Sequence, residues 1–445
     1  MLLNFTVSNW MSYKDEASLN MTSSRERQHF ETLAGVPGFR SMKALPVVAV
    51  YGGNASGKTG LFKGIAALKS MVVIDPGIGG LLPIESFKLD STSPQEPTVF
   101  DISFLANEVV YRYFVEATPE GVAVESLGRL SDKGETVLFE RDEIEEPGNR
   151  YSFNDSFFNA SEHISYVAMS TRGNQTFLGN AVSQNVTELN EAFGWFANTL
   201  ELVGVGSNAW SFATAIKSHD GFLEYAGNAL ARFDTGISGL VGERVDVDVL
   251  PKDADLHRSI AELSGDDVIT LVMESAGDYG FEMFTVRAGD DRPIVERMRT
   301  LHAGSDGKDH QFGLGMESSG TQRLMGLLPM LFDLQQPGGS VGSKVYVVDE
   351  LDRCLHTMLT FRLIEDYLAT CGRMTRKQLL FTTHDLLLMD QSLMRRDEMY
   401  IAQRDDVGRS ELIGLAEFDG IRFDKDLIRS YLDGRFGGIP MFGGK

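Results

Sequence analysis

Residues Gly52-Gly53-Asn54-Ala55-Ser56-Gly57-Lys58-Thr59 satisfy the spacing G-x-x-x-x-G-K-[ST], and this octapeptide restricts the fold of the 445-residue chain more tightly than anything else in it. It follows the apolar run Pro46-Val47-Val48-Ala49-Val50-Tyr51, which reads as a buried strand, and precedes Leu61, Ile65 and Leu68, spaced along one helix face. Strand, glycine-rich turn and helix form the context that gives the pattern meaning. Gly52 and Gly57 let backbone N–H groups close around phosphate oxygens, and Asn54 and Ser56 lie in the same loop. The chemistry expected is that Lys58 neutralises β and γ phosphates, while Thr59 offers its hydroxyl to Mg2+.

A second constellation lies near the other end. Lys344-Val345-Tyr346-Val347-Val348-Asp349-Glu350 reads as a buried strand that delivers two acids at its C-terminal end. Asp349 is placed to hold the metal and Glu350 to polarise an attacking water. Upstream, Glu317-Ser318-Ser319-Gly320-Thr321-Gln322-Arg323 opens a helix carrying Leu324, Leu327, Leu328 and Leu331. A serine hydroxyl and free N–H groups at such a start bind anions. Downstream, the strand Leu379-Leu380-Phe381-Thr382-Thr383 ends in His384-Asp385, and a histidine there reaches a γ phosphate or its attacking water. The order of parts is phosphate loop, serine-glycine helix start, acidic strand, histidine strand. That order is the one found in ABC-type ATPases.

On these residues the chain resembles the SMC/RecF-like ABC ATPases, in particular the single-chain AAA-15/AAA-21 group, similar to the RloA, PtuA and AriA proteins of anti-phage defence. Phe5, Asn9 and Ser12, with Trp10 in place of the usual Phe, resemble the family opening. Tyr111-Arg112-Tyr113, Glu125-Ser126-Leu127 and Phe139-Glu140-Arg141 match its style, as does the tail Tyr431 to Pro440. Glu317 to Thr321 matches its degenerate signature, although Thr321 stands where a Gln is usual. Asp349-Glu350-Leu351-Asp352, followed by Leu355-His356, matches its Walker B and D-loop. Near Phe87 no glutamine occupies a clear Q-loop position. Neither a zinc-hook coiled coil nor a C-terminal TOPRIM nuclease is evident.

The resemblance implies hydrolysis of ATP to ADP and phosphate with Mg2+ as cofactor. It implies a homodimer or higher homo-oligomer closed around ATP. Lys58 and Thr59 of one chain would grip the phosphates, and Ser318, Ser319 and Gly320 of the other, with Asp352, would close over them. Glu350, His384 and Lys58 would be catalytic. The biological role it implies is an ATPase sensor controlling a nuclease-like effector encoded nearby. The alternative is a RecF-like repair ATPase acting directly on DNA.

The expected fold class is α/β: an ABC-type P-loop domain with an antiparallel β lobe and an inserted helical region. The segments read as 1–85 (first part of the ATPase domain), 86–180 (β-rich lobe), 181–305 (inserted helical and mixed region) and 306–445 (second part of the ATPase domain). Ser183 to Arg232 reads as helical, with Leu189, Phe193, Phe196 and Leu200 on one stripe. Val245–Val249, Val268–Met273 and Phe281–Val286 read as short strands, and Gly304–Gly315 as a glycine-rich loop.

Composition narrows the function classes. The net charge of −22 disfavours bulk attraction to nucleic acid. Arg292, Arg297 and Arg299, the pair Arg395-Arg396, the acidic run Asp142 to Glu146, and Asp253 with Asp255 read as ordinary solvated charges. No apolar run approaches the ~18 residues of a membrane span, and no signal peptide is evident. The only cysteines, Cys354 and Cys371, read as small buried side chains and suit a reducing cytoplasm.

Overall fold

A continuous apolar strand is stable only when both of its faces are covered, and Val47–Tyr51 is buried at every position. In a computed structural model, which describes residues 1–143, 149–159, 162–204, 209–265, 267–274, 280–289, 292–336, 342–418 and 426–438, this strand lies inside a six-stranded sheet. The strand order is Leu200–Val203, Lys344–Val348, Lys377–Thr382, Val47–Tyr51, Met399–Arg404, Ser410–Gly414. All neighbours are parallel except the last pair, an antiparallel hairpin. The helix Lys58–Val73 follows the phosphate loop and buries Leu61, Ile65, Leu68 and Val72. Burial of each such side chain contributes roughly 1.5–3 kcal/mol.

The chain divides into two compact units, residues 1–203, 337–351 and 364–445, and residues 204–336 and 352–363. The first unit holds the parallel sheet and a seven-stranded antiparallel lobe, ordered Asn149–Phe153, Gly134–Glu143, Val122–Ser131, Val109–Ala117, Thr98–Ala106, Leu2–Ser8, Ala17–Asn20. Alternation decides which face of Thr98–Ala106 is buried: Phe100, Ile102 and Phe104 are fully covered. Phe104 stacks on Trp195 with ring centroids 4.4 Å apart and meets the edge of Phe196 at 5.2 Å. The aromatic stripe is core, as its helical spacing suggests. Leu200 is not part of a helix; it begins the edge strand of the parallel sheet, because Leu200-Glu201-Leu202-Val203 finds an open strand edge at Lys344–Val348.

The second unit is built on the strands Ile237–Val245, Ile294–Ala303, Phe281–Arg287 and Val268–Glu274, with Asp309–Gly313 also paired to Ile294–Ala303. The supposed loop Gly304–Gly315 is therefore largely a hairpin, turned by Gly307 at φ 73°. Val247–Val249 is a 3-10 turn just after its strand. Helices Ala209–Ser218, Phe222–Arg232 and Ser319–Gln335 pack together through Phe212, Phe222, Tyr225 and Phe332.

Several charged side chains depart from the solvated reading. Arg395 is fully buried and grips Asp397 with two hydrogen bonds of 2.8 and 2.6 Å. Arg297 pairs with Glu282 and Arg299 with Glu243, both partly buried. Asp253 caps the helix Ala254–Ala261 by accepting from Leu256 N. Cys354 is exposed rather than buried, because it sits in a turn between strand and helix. Residues 144–146 of the acidic run, and Ile439 and Pro440 of the tail, lie outside the described residues. Among the described residues no helix is long and apolar enough to cross a membrane.

Glu398, beside the Arg395–Asp397 pair, is 1% exposed, and burial pushes its carboxyl up from 4.5 to about 8. The folded chain then holds a proton there that the unfolded chain releases above pH 4.5. This contribution to stability is complete below pH 4.5 and is lost as pH rises through about 8. Glu398→Gln, which keeps the neutral shape, is expected to flatten the fall in melting temperature between pH 6 and 9. Thermal unfolding of both proteins across that range checks it, and an unchanged slope counts against it.

Candidate functional site

The phosphate loop leaves its strand at Gly52 and enters its helix at Gly57, whose φ of 112° only glycine adopts readily. A Cβ at Gly57 would lie 2.7 Å from Ser410 Oγ and 2.9 Å from the Tyr13 hydroxyl. The loop is thus pressed against two neighbouring segments. Tyr13 donates its hydroxyl to Gly57 O at 3.1 Å, and Trp10 Nε1 donates to Gly60 O at 2.7 Å. Ser410 N donates to Ser12 O at 2.7 Å. The turn Asn9–Tyr13 therefore buttresses the loop, a role that only contacts reveal.

Lys58 is 6% exposed, and its ammonium donates to Gly52 O at 2.8 Å and Gly53 O at 2.9 Å. The next residue links the two halves of the sequence. Thr59 Oγ1 donates to Asp349 Oδ1 at 3.3 Å, and Thr382 Oγ1 donates to the same oxygen at 2.7 Å. Thr382 Oγ1 also accepts from Glu350 N at 2.8 Å, and Leu351 N donates to Thr382 O at 3.0 Å. Strand order explains this meeting: Lys344–Val348 and Val47–Tyr51 flank Lys377–Thr382 in parallel, so all three deliver their C-terminal ends to one edge. Glu350 takes φ 49°, a left-handed backbone unusual for glutamate.

A cleft of about 470 Å³ opens over this edge, within the range of small-molecule sites. Asn54, Ser56, Gly57, Lys58, Thr59, Glu350 and His384 all line it. Met11, Ser12, Leu89 and Arg404 line it as well and add apolar and cationic surface. Glu85, Ser86 and Lys88 line it too. Ser56 Oγ is buried with no hydrogen-bond partner, a donor placed to meet an anionic oxygen in the loop. Thr59 and Asp349 supply hard oxygen ligands of the kind that suit Mg2+ bound together with phosphates. Among the described residues no group of three or more His, Cys, Asp or Glu side chains could hold a metal alone.

The remaining candidates belong to the second unit. Ser318 caps the helix Ser319–Gln335: its Oγ accepts from Thr321 N at 3.2 Å and lies 2.9 Å from Thr321 Oγ1. Ser319 is the first residue of that helix. Gly320 follows, and a Cβ on it would sit 2.6 Å from Cys354 O, so the helix start is held tightly against the turn after Asp352. Leu355 N donates to Asp352 O at 3.0 Å and closes that turn. Glu317 takes hydrogen bonds from Thr300 at 2.5 Å and His302 at 2.8 Å. Gln322 Nε2 donates to Gly315 O and Glu317 O at 3.1 and 2.9 Å. The structure thus gathers Lys58, Thr59, Asp349, Glu350 and His384 in the first unit, and Ser318, Ser319, Gly320 and Asp352 in the second. Thr382 was missed by sequence reading. Its one signal was a hydroxyl two residues before His384.

Comparison with known proteins finds the family described as "AAA domain, putative AbiEii toxin, Type IV TA system", which matches residues 47–167 and 205–390. No curated protein matches the chain. Among solved structures, the SMC head domain from Thermotoga maritima aligns at 12% identity and a TM-score of 0.35, covering 93% of this chain and 98% of that one. An SMC head bound to the C-winged helix domain of ScpA aligns at 12% identity and a TM-score of 0.36, covering 93% and 97%. At these scores neither likeness bears on function.

Proposed function

The chain belongs to this AAA_21 family of P-loop ATPases, and from that premise we propose that it binds and hydrolyses ATP at an ABC-type site shared between two copies of itself. One observation carries the reading: a single hydroxyl, Thr382 Oγ1, joins the Asp349 carboxylate to the Glu350 backbone while Thr59 meets that carboxylate from the phosphate loop. Phosphate grip, metal ligand and base are thereby fixed to one another before any substrate arrives, which is the preorganisation phosphoryl transfer needs.

In this reading the backbone of Asn54 to Thr59 cradles the β and γ phosphates. Lys58 exchanges its carbonyl partners for phosphate oxygens, which are stronger acceptors. Mg2+, held through Thr59 and Asp349, would offset phosphate charge. Glu350 accepts a proton from water as the water oxygen bonds to the γ phosphorus. The bond from that phosphorus to the β–γ bridging oxygen breaks, and ADP leaves. His384 steadies the γ phosphate or the water. Ser318, Ser319, Gly320 and Asp352 of a second copy cover the γ phosphate, so ATP joins copies and hydrolysis parts them.

The biological output proposed is a cytoplasmic regulatory ATPase of an anti-phage system that restrains and releases a nuclease-like effector encoded nearby. The net charge of −22 and the family's description as a toxin of a toxin–antitoxin system favour this over direct action on DNA. Two measurements test the proposal. Light scattering is expected to show a doubling of mass with ATP and Mg2+ and none with ADP. A gel shift at moderate salt is expected to show no ATP-dependent duplex binding. A mass unaffected by ATP would overturn the shared site, and tight duplex binding would move the output to a RecF-like repair role.

A further inference from the structure

Glu317 stands between the 3-10 turn Leu314–Met316 and Ser318, the cap of the helix Ser319–Gln335. A carboxylate beside a helix start ordinarily turns onto the free N–H groups there, where it meets the positive end of the helix dipole. Glu317 turns elsewhere. Among the described residues no N–H group of the helix start donates to it, and Thr321 N goes to Ser318 Oγ instead. The Glu317 side chain, 9% exposed, is bound to the strand Ile294–Ala303. Its Oε1 accepts from Thr300 Oγ1 at 2.5 Å and from His302 Nε2 at 2.8 Å. Thr300 and His302 are two residues apart and share one face of the strand. Thr300 is fully buried, and the ring of Phe312 meets His302 edge-on with centroids 5.1 Å apart. The backbone of Glu317 is held from the helix side, where its carbonyl accepts from Gln322 Nε2 at 2.9 Å. The residue is thus fixed at both ends. Its charge is drawn away from a helix whose own first turn carries no acid.

We propose that His302, together with Thr300, is a positioning residue for the shared site: it holds the Glu317 carboxylate off the Ser318 helix start and so keeps that start open to the γ phosphate of a nucleotide bound by a second copy. This rests on the shared-site reading and deepens it. A carboxylate released from the strand would take the N–H groups that a phosphate needs and would set like charge beside it. His302 itself touches neither nucleotide nor water in the reaction. Its whole effect passes through Glu317, and that makes the effect reversible by removing the charge of Glu317.

The test uses full-length variants, alone and mixed. H302A is expected to keep its affinity for a fluorescent ATP analogue, which its own phosphate loop binds and which also reports folding, and to lose roughly 10- to 100-fold in kcat. H302A/E317Q is expected to be at least about tenfold faster than H302A, because the amide carries no charge to set against the phosphate. A pair that only stabilised the fold would leave the double variant no faster than the single one, and that result overturns the inference, as does H302A turning over at the wild-type rate. Mixing then locates the defect. K58A lacks the phosphate grip but keeps a sound signature, and S318R has the reverse defect. H302A mixed with K58A is expected to regain at least about tenfold over either alone, since one composite site is then whole, and H302A mixed with S318R is expected to regain nothing. If K58A with S318R recovers but K58A with H302A does not, His302 does not serve the signature face and the inference fails while the shared site stands. If K58A with S318R does not recover, the shared site itself fails and the inference with it. Should H302A not bind the analogue, T300V, which removes the other donor to Glu317 with little change of shape, takes its place under the same criteria.

Discussion

Glu350→Gln is expected to bind ATP normally, to hydrolyse it roughly 100- to 10 000-fold more slowly, and to accumulate as a nucleotide-bound dimer. The amide keeps the shape of the carboxylate but cannot accept a proton from water. The backbone that aims it is untouched, since Glu350 N donates to Thr382 Oγ1 and Leu351 N to Thr382 O whatever the side chain. The effect should therefore fall on the chemical step and not on binding. Single-turnover hydrolysis and light scattering on the same sample read the two halves of this expectation. A variant that turns over at the wild-type rate would show that another group takes the proton.

The second large effect is at Lys58. Lys58→Ala is expected to weaken ATP binding at least about 100-fold, since it removes charge-assisted hydrogen bonds to the phosphates. It also leaves the carbonyls of Gly52 and Gly53 without the ammonium that now bridges them at 2.8 and 2.9 Å. Two consequences then separate by measurement. Calorimetric titration with ATP reports the first, and thermal unfolding without nucleotide reports the second as a loss of about 1–3 kcal/mol. Titration curves that overlay those of the unaltered protein would remove Lys58 from the site.

Much of this arrangement is legible in the sequence, and the reason is local. A phosphate loop is eight consecutive residues, and a buried strand ending in Asp349-Glu350 is seven; each advertises its own geometry without knowledge of its neighbours. The alternation of Phe100, Ile102 and Phe104 likewise declares one face of the antiparallel lobe. What escaped is everything that depends on where distant segments meet. Thr382 reads as one more strand residue until the parallel order sets it between Asp349 and Glu350. Tyr13 and Ser410 read as unrelated until both press on Gly57. Arg395 reads as a surface charge because its partner, Asp397, is two residues away and its burial comes from the chain near Glu26, more than 300 residues upstream. Leu200 fits a helical stripe by spacing, yet an open strand edge nearby outweighs spacing. Pattern is a property of short windows, while charge burial and hydroxyl bridging are properties of the folded edge.

The shared site is tested most directly by the structure of Glu350→Gln crystallised with ATP and Mg2+. Two copies per nucleotide pair are expected, with Ser318 Oγ of one copy within about 3 Å of a γ-phosphate oxygen whose phosphate is gripped by Lys58 of the other. Fully bound ATP in a copy whose γ phosphate meets only solvent or its own chain, with every Ser318 turned away from any neighbouring nucleotide, would contradict it.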